Sequence, residues 1–348
     1  MSHRERYRIA PQLAAYGQIS TVLAPYLTLI QEPNYRSEII NTDSGGFRFS
    51  YRDDVRIDVQ SWWSAEKRGI VLGGSFVFGI GATDDRKTLV STLNSKTGFS
   101  FMNLGIRAGN STQELIAAIP FIAESEYILV CSGINNLVVS IQSAGENDVY
   151  GPLFSEGLLK KLSSYPDAEL MKRLSLDDVG TTDLFKLLIA RIKKVVFGKM
   201  PEQKAGRKST AVLQEYSRSF LEDVSKKAIK RTGRDLGILV KAFSDTSNIV
   251  FAVQPFASAI SKMLTPEEEQ LFAITDNMQL KHWQMLKTEL IQLWPAYVHA
   301  LENICAELDI RFVDLNRIKY NGWVFVDRVH MNDAGYMQSA HYLAQEFI

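Results

Sequence analysis

Short apolar runs rich in β-branched residues recur along this chain, at Gly69–Leu72, Phe99–Leu104, Tyr127–Cys131, Asn248–Val253 and Ile310–Asp314. Helical patterns separate them, and this alternation predicts a parallel sheet wrapped by helices. The stretch "DDRKTLVSTLNSKTG" has an acidic start, spaced apolar residues and Gly98 as a stop, which together predict a helix. The next helix should open "STQELIAAIPFIAE", where Ser111 followed by Glu114 reads as a capping box and sets the start near Thr112. That places the preceding "GIRAGN" at the carboxyl end of a strand. The final "NDAGYMQSAHYLAQEFI" carries capping residues Asn332 and Asp333 and predicts an amphipathic helix.

Two regions break the alternation. Residues 1–66 predict an extension packed on the core, with a helix, a loop around "TDSGG" and strands that include "FRFSYRDD" and "RIDVQSWW". A polar then helix-rich stretch at about 145–246 separates the third and fourth runs and predicts a helical insert within a domain spanning 67–348.

Composition narrows the function without choosing it. Among 348 residues, 39 Lys plus Arg balance 39 Asp plus Glu, so no overall field recruits nucleic acid or an anionic membrane. Cys131 and Cys305 are the two cysteines, too few for a disulfide framework and without metal-ligand spacing. The amino terminus lacks an apolar core of signal-peptide length, and the expected location is cytoplasmic. No metal or cofactor is implied. The basic bias within the insert, in "KLLIARIKKVVFGKMPEQKAGRK" and "SKKAIKRTGR", reads first as a solvated helical face of a lid or oligomer. Contact with a membrane surface is the less favoured reading.

Candidate chemistry begins at "RGIVLGGSFVFGIG", where an apolar run ends in two glycines and Ser75. The spacing does not supply a dinucleotide fingerprint, a phosphate loop or an α/β-hydrolase elbow, whose last glycine is Val77 here. Alone, Ser75 reads first as a turn residue capping the next helix. Three further fragments belong to the same predicted edge: "NLGIRAGNS", "SGINNL" with Gly133 and Asn135, and "VDRVHMNDAGY" with Asp327 and His330. Ligands of open parallel sheets bind outside the carboxyl ends of the strands.

In this order the four fragments resemble the blocks of the SGNH hydrolase superfamily, the GDSL-type esterases. Ser75 matches the nucleophile block, Gly105–Gly109 the glycine block, Gly133 with Asn135 the G-x-N block, and Asp327 with His330 the D-x-x-H block. The resemblance implies a flavodoxin-like three-layer α/β/α sandwich with a five-stranded parallel sheet. It also implies Ser75 as nucleophile, His330 as its base, Asp327 as the carboxylate orienting the imidazole, and an oxyanion hole from the Ser75 amide, the Asn135 side chain and the amide of Ala108 or Gly109. Three departures stand out. Gly74 replaces the usual aspartate, Asn136 replaces the second residue of the usual pair, and Ala108 occupies the place where the typical spacing from Asn103 puts glycine.

The implied activity is hydrolysis of a small O-acyl ester, acetyl on a carbohydrate being the first choice. "SGGFR" and the serine block also resemble members associated with glycan acylation and deacylation. The alternatives are an O-acyltransferase acting on a glycan or sugar precursor and a non-catalytic glycan-binding or assembly subunit. The partner implied is a small-molecule or glycan ester, with oligomerisation left open. Arg107 either binds a substrate anion or braces its loop through carbonyls. Trp62 and Trp63 are read as strand residues on opposite faces, and His3, His282, His299 and His341 as structural or solvated.

Overall fold

The computed structural model describes residues 3–24, 26–142, 216–243, 245, 248–277 and 287–347. Contacts divide the chain into two units, one of Met1–Leu153 with Arg218–Ile348 and one of Phe154–Ser217. The second lies almost wholly outside the described residues, as does the basic stretch 186–208 of the expected insert.

The first unit opens with helices α1 (His3–Ile9) and α2 (Leu13–Tyr16), the hairpin β1 (Thr21–Ala24) and β2 (Thr28–Gln31), and the hairpin β3 (Ser50–Arg52) and β4 (Val55–Ile57). The tryptophan pair departs from the strand expectation. Asp58 caps the amides of Gln60 and Ser61 and turns the chain into the one-turn helix α3 (Val59–Trp62). Trp62 is buried, with its indole N–H on the Gly69 carbonyl at 2.8 Å, and Trp63 stays 44% exposed.

The sheet then alternates with helices: β5 (Arg68–Gly73), α4 (Ser75–Phe78), α5 (Leu89–Thr97), β6 (Ser100–Gly105), α6 (Ser111–Ala118), β7 (Tyr127–Ser132) and α7 (Ile134–Gln142). After the second unit come α8 (Arg218–Ala242), β8 (Ile249–Val253), α9 (Pro266–Asp276), α10 (Glu289–Glu307), β9 (Arg311–Asp314) and α11 (Asp333–Ala344). Strand order is β6-β5-β7-β8-β9, and every neighbouring pair is parallel. In strand sequence within the sheet this is the 2-1-3-4-5 order of flavodoxin-like folds.

Apolar side chains on both faces explain both the legible strands and the two helical layers. Helices α5 and α11 pack together, and the aromatic residues Tyr16, Phe76, Phe78 and Tyr336 join their hydrophobic cluster. Helix α8 packs against α6, α7 and α10. The carboxyl end of the expected insert, from Arg218, therefore belongs to this layered unit. Its exposed side carries both signs of charge, including Glu222, Asp223, Lys226 and Lys230.

One polar group in this layer sets a pH dependence. Glu114 on α6 is 1% exposed, accepts a bond from the Ser132 hydroxyl at 2.8 Å, and leaves Oε2 without a partner among the described residues. Burial pushes its acid up to about 8, with Ser132 opposing the rise and Asp235 adding to it. The ordinary carboxyl ionises near 4.5, so between 4.5 and about 8 the unfolded chain has lost a proton that the folded chain keeps. Stability falls across that window as pH rises and is flat above it. Glu114→Gln removes this titration, and urea unfolding should show the variant gaining ~2–4 kcal/mol on wild type between pH 4.5 and pH 8. Equal changes in the two proteins would assign the pH dependence elsewhere.

Candidate active site

The site sits at the carboxyl ends of the paired strands β5 and β7, where the strand order reverses. Strand β5 ends at Gly73, which pairs with Gly105 on one side and Cys131 on the other. The chain turns at Gly74 and enters α4, whose first residue is Ser75. A Cβ on Gly74 would lie 2.3 Å from the Asn135 Nδ2, so this Asn135 position leaves no room for the aspartate expected there.

Helix α4 is one turn long and is held from its far end. A short helix leaves its terminal carbonyls unbonded, and here side chains fill them. Asn103 Nδ2 donates to Val77 O at 2.9 Å, and Arg48 Nη1 donates to Phe78 O and Gly79 O at 3.1 and 2.9 Å. The Tyr16 hydroxyl adds a bond to Gly79 O at 2.7 Å. Arg48 itself is buried, and Tyr16 and Asp85 hold it charged against the cost of burial, Asp85 through a 2.6 Å ion pair.

The histidine arrives on the loop between β9 and α11. Asp327 folds that loop: its Oδ1 accepts the backbone N–H groups of Val329 and His330 at 3.0 and 2.9 Å. The His330 Nδ1 then lies 2.9 Å from both Asp327 oxygens, and Nε2 lies 2.7 Å from Ser75 Oγ. This geometry selects the tautomer with the proton on Nδ1, leaving Nε2 to accept from the serine hydroxyl. Burial alone would raise the Asp327 acid, but His330, Arg6 and the Val329 amide outweigh it and hold the carboxyl at about 2. The loop is tied outward as well, by the Arg328–Asp276 ion pair at 2.8 Å and by the Thr83 amide on Asp333 at 2.8 Å.

The oxyanion side is built by the loop after β6 and by α7. Ala108 adopts φ +59, the left-handed conformation that favours glycine. The backbone shape expected of a glycine is therefore kept without the residue. The Gly109 amide is occupied, donating to Ile106 O at 2.9 Å, whereas the amides of Ser75 and Ala108 have no partner among the described residues. Asn135 Nδ2 donates one hydrogen to Gly109 O at 2.7 Å and keeps a second. Asn136 points inward, bonding the Ser111 amide and Thr232, as its departure from the block suggests.

Arg107 lies on the loop after β6. Its guanidinium donates to Ile19 O at 3.1 Å and its amide to Gln31 Oε1 at 3.1 Å, which ties the loop to the N-terminal segment. Burial lowers its pKa. Sequence reasoning missed Arg6, whose Nη2 reaches Asp327 Oδ2 at 2.6 Å. It also gave Arg48 no role beyond the "SGGFR" resemblance. Contacts spanning so much chain leave no local pattern.

A hydroxyl, imidazole and carboxylate in hydrogen-bonded series, at the switch point of a 2-1-3-4-5 sheet, form the relay of a serine hydrolase. The sheet order and the relay agree with the SGNH resemblance. No family model matches the sequence, and no curated protein matches it. Solved structures similar to the chain include a Bacteroides ovatus protein described as GDSL-like, at 12% identity and TM-score 0.38, covering 81% of this chain and 53% of that one. This chain thus spans about half the length of that protein. A carbohydrate acetylesterase from Sinorhizobium meliloti aligns at 9% identity and TM-score 0.38, over 80% of this chain and 97% of its own. An extracellular lipase from Streptomyces rimosus aligns at 11% identity and TM-score 0.40, over 79% and 99%.

Proposed function

We propose that this protein is a serine-dependent ester hydrolase that removes a small O-acyl group, acetyl on a carbohydrate, through an acyl-Ser75 intermediate. The reading rests above all on the 2.7 Å approach of His330 Nε2 to Ser75 Oγ. As Oγ attacks the ester carbonyl, its proton passes to Nε2 and Asp327 stabilises the imidazolium. The amides of Ser75 and Ala108 and the second N–H of Asn135 receive the negative oxygen. Collapse releases the alcohol with the proton from Nε2. Water then repeats the sequence on the acyl-serine and frees the acid. The carbohydrate specification comes from the resemblance carried by "SGGFR" and the serine block.

Incubation with a chromogenic acetyl ester, with and without sugar acceptors, tests the reading. Acid released at a rate indifferent to acceptor supports hydrolysis, and new sugar ester supports the transferase. A fluorophosphonate that labels wild type no more than Ser75→Ala favours a non-catalytic role. Asn135→Ala should lower kcat about 10²–10³-fold, the usual loss of one oxyanion donor. Unfolding should change little by comparison, because Asn135 is half-buried and bonds one carbonyl. A kcat within twofold of wild type would remove Asn135 from the oxyanion hole.

A further inference from the structure

The orienting carboxylate has a partner from the opposite end of the chain. Arg6, on α1, places Nη2 2.6 Å from Asp327 Oδ2, with side-chain exposures of 13% and 1%. Helix α1 also packs against α9, whose Asp276 holds Arg328 beside the relay. The N-terminal helix thus reaches the catalytic loop twice, once directly and once through α9.

The two oxygens of Asp327 are held differently. Oδ1 accepts two backbone amides of its own loop, so that side of the carboxylate is fixed by local geometry. The imidazole Nδ1 lies 2.9 Å from both oxygens, and Oδ2 in addition accepts Arg6, its donor from outside the loop. A carboxylate with one oxygen pinned can still turn about its Cβ–Cγ bond, and that rotation would break the even approach of both oxygens to the imidazole Nδ1. Pinning both oxygens prevents it. The resting site adds an electrostatic reason. With His330 neutral, Asp327 is a buried anion, and such an anion without a compensating charge moves toward its protonated form. A protonated Asp327 would no longer hold the Nδ1–H tautomer that leaves Nε2 free to take the serine proton.

We propose that Arg6 is a positioning residue of the relay, acting through Asp327 to fix the carboxylate in place and in its charged form. The proposal rests on the hydrolase reading above, and its test separates the two. Arg6→Gln removes the charge and keeps polar bulk. Arg6→Lys keeps the charge and loses the planar fork. Active sites are counted by fluorophosphonate titration, so that kcat refers to folded, labelled enzyme.

The expected result is a kcat about 10–100-fold lower in Arg6→Gln, the range of a charge-assisted hydrogen bond, with KM within about twofold of wild type. Arg6→Lys should recover most of that loss. In proton NMR, the low-field resonance of the imidazole Nδ1–H should shift or broaden in Arg6→Gln and return toward the wild-type position in Arg6→Lys. Arg6→Gln that melts earlier yet keeps wild-type kcat per titrated site and an unmoved resonance would overturn the proposal. So would a lysine variant as impaired as the glutamine variant or, should Arg6→Gln fail to fold, an Arg6→Lys enzyme with kcat per titrated site more than about 10-fold below wild type. Ser75→Ala run in parallel keeps the readings distinct. Hydrolysis at the wild-type rate in Ser75→Ala would end the hydrolase reading, while the resonance would still decide whether Arg6 governs the Asp327–His330 couple.

Discussion

Ser75→Ala is expected to lower ester hydrolysis by about 10⁴–10⁶-fold and to abolish fluorophosphonate labelling, with the thermal transition close to wild type. The size follows from the series connection of the relay. His330 Nε2 faces one reacting hydroxyl, at 2.7 Å, and removing it leaves the base with nothing to activate but water. The oxyanion donors survive the change, so a residual rate over solvent should persist. The fold survives because Ser75 Oγ contributes no bond to the core; its one hydrogen bond of note is to the imidazole. Loss of labelling with unchanged hydrolysis would place the chemistry at another residue. Unchanged labelling would place the probe there too.

The second large effect concerns stability. Arg48→Met should cost about 3–5 kcal/mol in urea unfolding, because removing one member of a buried ion pair strands the other. Arg48 is 1% exposed, pairs with Asp85 at 2.6 Å, and donates to the Tyr16 hydroxyl and to the Phe78, Gly79 and Ile39 carbonyls. Methionine fills much of the volume but satisfies none of these acceptors. The double change Arg48→Met with Asp85→Asn should recover part of the loss, since the stranded anion is gone while the carbonyls remain unmet. A double variant no more stable than Arg48→Met would locate the loss in the carbonyl bonds alone. Because the same guanidinium secures the end of α4, residual activity should fall further than the folded fraction does.

The strands were readable because a strand buried on both faces has little choice but to be apolar throughout. All five sheet strands begin within a residue of the apolar runs that signalled them, with β6, β8 and β9 each starting one residue inside the run. The relay residues were readable for a different reason: each sits in a short block whose order along the chain resembles that of the SGNH blocks. Local competition explains the nearer misses. Ser111 with Glu114 and Asn110 with Gln113 are both capping-box candidates, one residue apart. Asn110 caps α6, because Glu114 turns inward to Ser132. The "RIDVQSWW" run is β-branched enough to suggest a strand through both tryptophans, yet Asp58 is the stronger instruction and starts a helix. The open choice between Ala108 and Gly109 needed hydrogen bonds to be seen, since a backbone amide has no residue type. Arg6 and Arg48 were not legible as partners, because pairing across 321 or 37 positions depends on the finished topology.

That topology has a kinetic corollary. Serine and imidazole are 255 positions apart, and the arginine that steadies the carboxylate is separated from it by 321. Closing contacts at such separations is slow and comes late in folding. On the ribosome, then, a chain not yet extended through His330 lacks the base, and ester turnover would begin only once the segment that carries it has docked. The appearance of activity during synthesis or refolding would thus serve as a clock for the final step of assembly.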